Sequence, residues 1–162
     1  MQSRSRNSRP PADGPSGTAL EAGFRLLASR PHAVREVRVK LGRRGFDLDE
    51  VESAVSRLLE LGYLDDAAFS RGVVSHRAGS RGASAVASEL IQKGVARDQV
   101  ATAVAEIDPE ADLESATVMA ARHLRHLAAP TAADLQRVGA RLRRRGFSES
   151  IIRRALAVPL DD

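Results

Sequence analysis

From residue 19 onward, apolar residues return every three or four positions, the spacing that gathers side chains on one face of an α-helix. Leu20, Phe24 and Leu27 share such a face in the first stretch. No stretch alternates apolar and polar residues long enough to compete as a strand. The pattern therefore predicts an all-α protein.

The same pattern recurs along the chain. Three segments superimpose on a glycine: VREVRVKLGRRGFDLDEVESAV (34–55), ASAVASELIQKGVARDQVATAV (83–104) and LQRVGARLRRRGFSESIIRRAL (135–156), pivoting on Gly45, Gly94 and Gly146. Eleven residues before the pivot stand Val34, Ala83 and Leu135; eight before, Val37, Val86 and Val138; four before, Leu41, Leu90 and Leu142. One after it come Phe46, Val95 and Phe147; six after, Val51, Val100 and Ile152; ten after, Val55, Val104 and Leu156. Steps of three and four on both sides of a glycine describe two amphipathic helices joined by a tight turn.

The glycine has a physical task at that turn. A residue just past a helix end often adopts the left-handed conformation that side chains disfavour, and its successor then touches the residue five positions earlier. That rule pairs Leu41 with Phe46, Leu90 with Val95 and Leu142 with Phe147. The helix that follows should be capped by Asp47 (with Glu50 completing a capping box) in the first copy and by Ser148 in the third. Ala96 stands at that place in the second copy, so its cap should be weaker.

A further helical stretch precedes each pair, at roughly 18–30, 66–78 and 110–128, with breaks near Pro31, at Gly79 to Gly82, at Asp108-Pro109 and at Pro130. The expected unit is thus three helices, repeated three times over 18–62, 63–108 and 109–158. Residues 1–17, rich in Arg, Pro and Ser and nearly devoid of apolar side chains, are expected to be a disordered basic tail.

Composition agrees with helices. Apolar residues make up 43% of the chain but aromatics only 3%, and Trp is absent. There is no cysteine, which excludes disulfides and thiolate metal sites and fits a reducing cytoplasm. No apolar run is long enough for a membrane span, and the amino terminus lacks the apolar core of a signal peptide. The formal net charge of +4 permits contact with nucleic acid or an acidic protein surface.

Several residues invite a functional reading. Asp65-Asp66 lacks the convergent ligands of a metal or acid–base site, and reads as a helix N-cap. His123 and His126, three apart on one helix, have no acidic or thiol partner for zinc and read as a partly exposed helix end, with Arg122 and Arg125 adding at most a basic face. The Gly79-Ser80-Arg81-Gly82 loop reads first as an interhelical turn and second as a phosphate cradle through backbone N–H groups, with Arg81 beside it. The arginine clusters carry the strongest signal. Arg35, Arg38, Lys40, Arg43 and Arg44 surround the first turn; Arg141, Arg143, Arg144 and Arg145, with Arg153 and Arg154, crowd the third. Residues 131–156 hold seven Arg against Asp134 and Glu149. Such density at polar positions suits phosphate or an acidic partner.

The middle of the chain resembles the RecX family of RecA regulators. The family's G-Y/L-L-D-D motif, its F-A, an Arg-ending helix, a Gly-rich turn and E-L-x-x-K-G correspond here to Gly62-Tyr63-Leu64-Asp65-Asp66, Phe69, Arg77, Gly82 and Glu89-Leu90-Ile91-Gln92-Lys93-Gly94. Upstream, Arg30 to Val37 occupies the place of R-S-x-x-E-L, with Pro31-His32 where Arg or Lys and Ser are common. The resemblance spans roughly residues 19–156 and departs most in the third copy. It implies an elongated, curved helical array that lies along the groove of a RecA–DNA filament and modulates, usually downward, its recombinase, coprotease and ATPase activities. No catalysis and no cofactor are implied, and the chain is expected to act as a monomer. The alternative is a helix-turn-helix protein acting directly on duplex DNA, since helix–Gly–helix with basic residues is also that motif's signature. Three near-copies and a weakly basic middle argue against it. A plain helical scaffold would leave the arginines unexplained.

Overall fold

The computed structural model describes residues 17–157; the tail expectation for residues 1–17 lies outside them but for Gly17. Every regular element among the described residues is an α-helix. The chain divides into two compact units, Met1–Leu64 and Asp65–Asp162.

In the first unit, α1 (Ala19–Ser29), α2 (Val34–Arg43) and α3 (Leu48–Glu60) pack on one another. Thr18 caps α1, accepting from the Glu21 N–H at 3.2 Å, while the Glu21 carboxylate takes the Thr18 N–H at 3.0 Å. Asp47 and Glu50 form the same reciprocal box at the start of α3. One core gathers Leu26 from α1, Val37 and Leu41 from α2, Val51, Val55 and Leu58 from α3, and Phe46 from the turn. Gly23 lets α1 approach α3: a Cβ there would lie 2.7 Å from Leu58 Cδ1.

In the second unit the helices again gather in threes. One triplet is α4 (Asp66–Arg77), α5 (Ala83–Lys93) and α6 (Arg97–Ala105). The other is α7 (Pro109–Leu124), α8 (Ala132–Arg144) and α9 (Glu149–Ala157). Asp65 caps α4, accepting from the Ala67 and Ala68 N–H groups at 2.8 and 3.0 Å, as its position before DAAFSRGVV predicts. Asp108 caps α7, with Pro109 in the first turn, and Ser148 Oγ accepts the Ile151 N–H at the start of α9. Ala96 provides no side-chain cap for α6.

The pivot glycines adopt φ of 93°, 89° and 88° at positions 45, 94 and 146. Each pivot N–H donates to the carbonyl three residues back, at 2.9–3.0 Å. Val95 and Phe147 add the longer bond to Leu90 and Leu142. Burial at the repeat positions is graded. The four inner positions are buried in all three copies, Leu41, Leu90 and Leu142 completely. At the two outer positions only Val55 is buried; the others are half-covered. Each buried Leu or Phe contributes about 1.5–3 kcal/mol over its exposed state, so the inner positions carry most of what holds each pair together. A fourth glycine-capped end, unmarked by the repeat, closes α3. Gly62 has φ 73°, Tyr63 N–H donates to Leu58 O at 2.9 Å, and the Tyr63 ring stands edge-on to Phe24.

The two triplets of the second unit are joined through backbone. Gly82, at the start of α5, packs against Gly146, in the turn between α8 and α9. A Cβ on Gly82 would fall 2.5 Å from the Gly146 carbonyl, and one on Gly146 2.3 Å from the Ala85 nitrogen. Gly82 N–H donates to Arg145 O at 2.9 Å and Ser84 N–H to Gly146 O at 3.2 Å. Between them, Ala83 N–H points to the carboxylate of Asp112 on α7 at 3.4 Å.

Candidate arginine-rich interaction surface

Those bonds decide the fate of the Gly79–Gly82 loop. A phosphate cradle needs free N–H groups at a helix start. Here Ser80 and Arg81 N–H donate to Arg77 O, and the Gly82, Ala83 and Ser84 N–H groups serve the junction. The loop is an interhelical turn whose N–H groups from Ser80 to Ser84 are engaged within the fold, and the exposed Arg81 side chain stays available to an outside ligand.

The twelve candidate cations divide into two groups. Some are held inside the fold. Arg38 Nε pairs with Glu52 across α2 and α3 at 2.8 Å, and Arg44 donates to Ala22 O at 3.3 Å. Arg143 pairs with Glu149, whose carboxyl is held below its ordinary range by that hydrogen bond. Arg145 donates to Ser80 O at 3.3 Å, and Arg154 forks onto Glu110 at 3.0 and 3.1 Å. Arg35, Lys40, Arg43, Arg81, Arg141, Arg144 and Arg153 have no hydrogen-bond or ion-pair partner among the described residues. All seven but the half-buried Lys40 are exposed.

Around the first turn, Arg35 and Arg43 lie two helical turns apart on α2, with the exposed Val39 between them at four-residue steps. Around the third turn, Arg141 and Arg144 end α8, and Arg153 follows on α9. Arg43, Arg141 and Arg144 sit beside a glycine turn whose backbone is fixed by hydrogen bonds, so their guanidinium groups start from a rigid base, while Arg35 and Arg153 stand on the flanking helices. Exposed ion pairs add little stability, because water screens them; Arg143 and Arg154 can therefore exchange carboxylate for another anion at small cost.

A different pair escaped the sequence pattern. Arg77, at the end of α4, makes a two-pronged bond to Glu89 on α5, Nε to Oε2 at 2.8 Å and Nη2 to Oε1 at 2.7 Å. It holds Glu89 below the ordinary carboxylate range. Both residues lie in the motif that carries the family resemblance, so part of that motif ties α4 to α5. The residues are twelve apart on different helices, and only the interhelical geometry shows that they meet.

Fold and surface together define a helical-repeat protein that presents basic, glycine-capped turns. Residues 19–58 match the family model for RecX, first three-helix domain, and residues 65–104 that for RecX, second three-helix domain. The regulatory protein RecX of Streptomyces coelicolor is 32% identical over 166 aligned residues, spanning 99% of this chain and 86% of that protein. That of Mycobacterium marinum is 34% identical over 132, spanning 79% and 76%. The crystal structure of RecX from Lactobacillus salivarius superimposes with a TM-score of 0.79 over 85% of this chain and 92% of that one, at 18% identity, and so attests the shared fold. The chain belongs to the RecX family of regulatory proteins. Among the described residues, no helix is long and apolar enough to cross a membrane.

Proposed function

We propose that this protein regulates the RecA recombinase by binding the RecA–DNA filament, touching protein first and DNA second, and that it lowers recombinase, ATPase and coprotease activity without chemistry of its own. The observation that carries this reading is the set of unpartnered cations around the two rigid turns, Arg35, Lys40 and Arg43 along α2 and Arg141, Arg144 and Arg153 on α8 and α9, in a chain of the RecX family. Cations without internal partners lose no bond on meeting phosphate or carboxylate. Several weak contacts on one chain reinforce one another, because the second forms at high effective concentration once the first is made. Blocking rearrangement or growth of the filament then suffices for inhibition.

The test measures RecA ATPase and strand exchange on single-stranded DNA with sub-stoichiometric protein. Both should fall. Replacing Arg43, Arg141 and Arg144 by Gln should relieve the inhibition, whereas Arg154→Gln, which breaks the pair with Glu110, should change it less. No effect of the wild-type protein on either reaction, together with sequence-specific duplex binding, overturns the proposal in favour of a helix-turn-helix DNA-binding protein.

A further inference from the structure

The end of α7 and the face of α8 from Asp134 to Arg141 line a surface groove of about 180 Å³, with His123, Leu127, Asp134, Arg137 and Arg141 in its walls. Arg137, Arg141 and Arg145 follow one another at four-residue steps, which places them in one row along α8, about 6 Å apart along the axis. His123 faces this row from α7. It is half-buried, and burial first, then the charges of Arg141, Arg122 and Arg145, hold it below its ordinary value. One acid lies in the groove, and it is already engaged. Asp134 accepts from the Thr131 N–H and hydroxyl and from Arg137, and these bonds hold it ionised. From α9, Arg154 is engaged with Glu110 at the opposite end of α7, and Glu149 with Arg143. Arg141 has no partner among the described residues.

We propose that the groove formed by His123, Arg137 and Arg141 is a phosphate-binding subsite. Donor-bearing side chains line it from two helices. Arg137 keeps its Nε bond to Ala133 O and its Nη2 bond to Asp134, and a tetrahedral group with several exposed oxygens can take a bond from each side chain. Guanidinium groups match phosphate through paired N–H bonds, and the imidazole supplies a further donor once protonated. Anion binding offsets the arginine charges, so the His123 pKa rises in the complex. Binding therefore strengthens as pH falls through that value and weakens above it. The subsite brings in His123 and Arg137, which lie outside the clusters flanking the turns. It rests on the groove's own geometry and can fail separately from filament regulation.

The experiment follows the four histidine Hε1 resonances of the full chain by NMR at fixed ionic strength, with chloride replaced stepwise by inorganic phosphate. His123 should move and its titration should shift upward, while the exposed His76 and His126 serve as internal references. Arg141→Gln should abolish the shift without changing the helical circular dichroism; Arg137→Gln, at a side chain 76% exposed, should weaken it. A second arm uses a single-stranded oligonucleotide without terminal phosphates. A His123 shift there as well assigns the site to nucleic-acid backbone, and a shift with inorganic phosphate alone assigns it to free phosphate groups. The proposal is overturned if His123 moves no more than His126, if acetate moves it as far as phosphate does, or if Arg141→Gln leaves the shift intact.

Discussion

Gly82 and Gly146 lie backbone against backbone, 64 positions apart in sequence, with the amide of one donating to the carbonyl preceding the other. The two glycines are required for different reasons. Gly82 has φ −78°, open to any residue, so only the missing Cβ matters there. Gly146 also needs its left-handed backbone.

Substitution at the two positions should therefore separate the effects. Gly62 is the control, with φ 73° and open space where its Cβ would be. Gly62→Ala should cost about 1–2 kcal/mol, the price of a left-handed alanine. Gly82→Ala should cost about 1–3 kcal/mol from overpacking, and Gly146→Ala should exceed both. Urea denaturation followed by circular dichroism ranks them; a Gly146→Ala midpoint equal to that of Gly62→Ala would contradict the packing argument.

Asp112 acts as a cap supplied by another helix. Its buried carboxylate accepts the Ala83 N–H at the start of α5, yet burial pushes its carboxyl above the ordinary value, with the Ala83 bond opposing. A raised acid favours folding when protonated. That contribution is complete below the unfolded-state value, about 3.9, and is lost as pH rises through the folded-state value. At neutral pH, Asp112→Asn should match or exceed the wild-type thermal midpoint, because an amide oxygen also accepts this bond. Asp112→Ala, which orphans the Ala83 N–H, should cost about 1–3 kcal/mol. If both variants melt alike, the carboxylate has no capping role.

The uncapped start of α6 offers a gain. Ala96 already holds extended backbone, φ −63° and ψ 144°, the geometry of a capping residue. Ala96→Ser should stabilise the fold by about 1 kcal/mol, read as a higher denaturation midpoint. An unchanged midpoint would mean that water already serves those amides equally well.

His32 should make stability depend on mild acid. Its ring is buried, Nδ1 lies 2.8 Å from Arg30 O, and Nε2 has no partner. Burial, ahead of the nearby Arg30 and Lys40 charges, lowers its pKa. A lowered base keeps its stabilising contribution above the unfolded-state value, about 6.5, and loses it as pH falls toward the folded-state value. Thermal midpoints should decline as pH falls below about 6.5, and His32→Leu should flatten that decline. A wild-type curve parallel to that of the variant would refute it.

Much of the fold is legible from residue spacing, because the interactions that set it are local. A glycine that needs positive φ, the apolar residue after it and the Leu four before it can all be read within one helix pair. The caps at Asp47, Asp65 and Ser148 are equally local, each lying within three residues of the amide it serves. The Gly82–Gly146 contact, the Asp112 cap and the Arg77–Glu89 pair are not local. Each joins residues whose spacing says nothing of their meeting, so they emerge only once the helices are assembled. The arginine clusters fall between these cases. Their existence is plain in the sequence, but which members are free was not. Glu52, Glu149 and Glu110, whose carboxylates occupy Arg38, Arg143 and Arg154, lie 14, 6 and 44 residues away.

The main-chain bonds at Gly82 and Ser84 also have a mechanical consequence. The α8–α9 turn carries Arg144 and Arg145, and its Arg145 and Gly146 carbonyls accept directly from the Gly82 and Ser84 N–H groups at the start of α5. A pull on those arginines, once it reaches the backbone, is thus borne by peptide hydrogen bonds anchored in the neighbouring triplet. Load applied at the third turn passes to the start of α5 and is shared by the two triplets of the second unit.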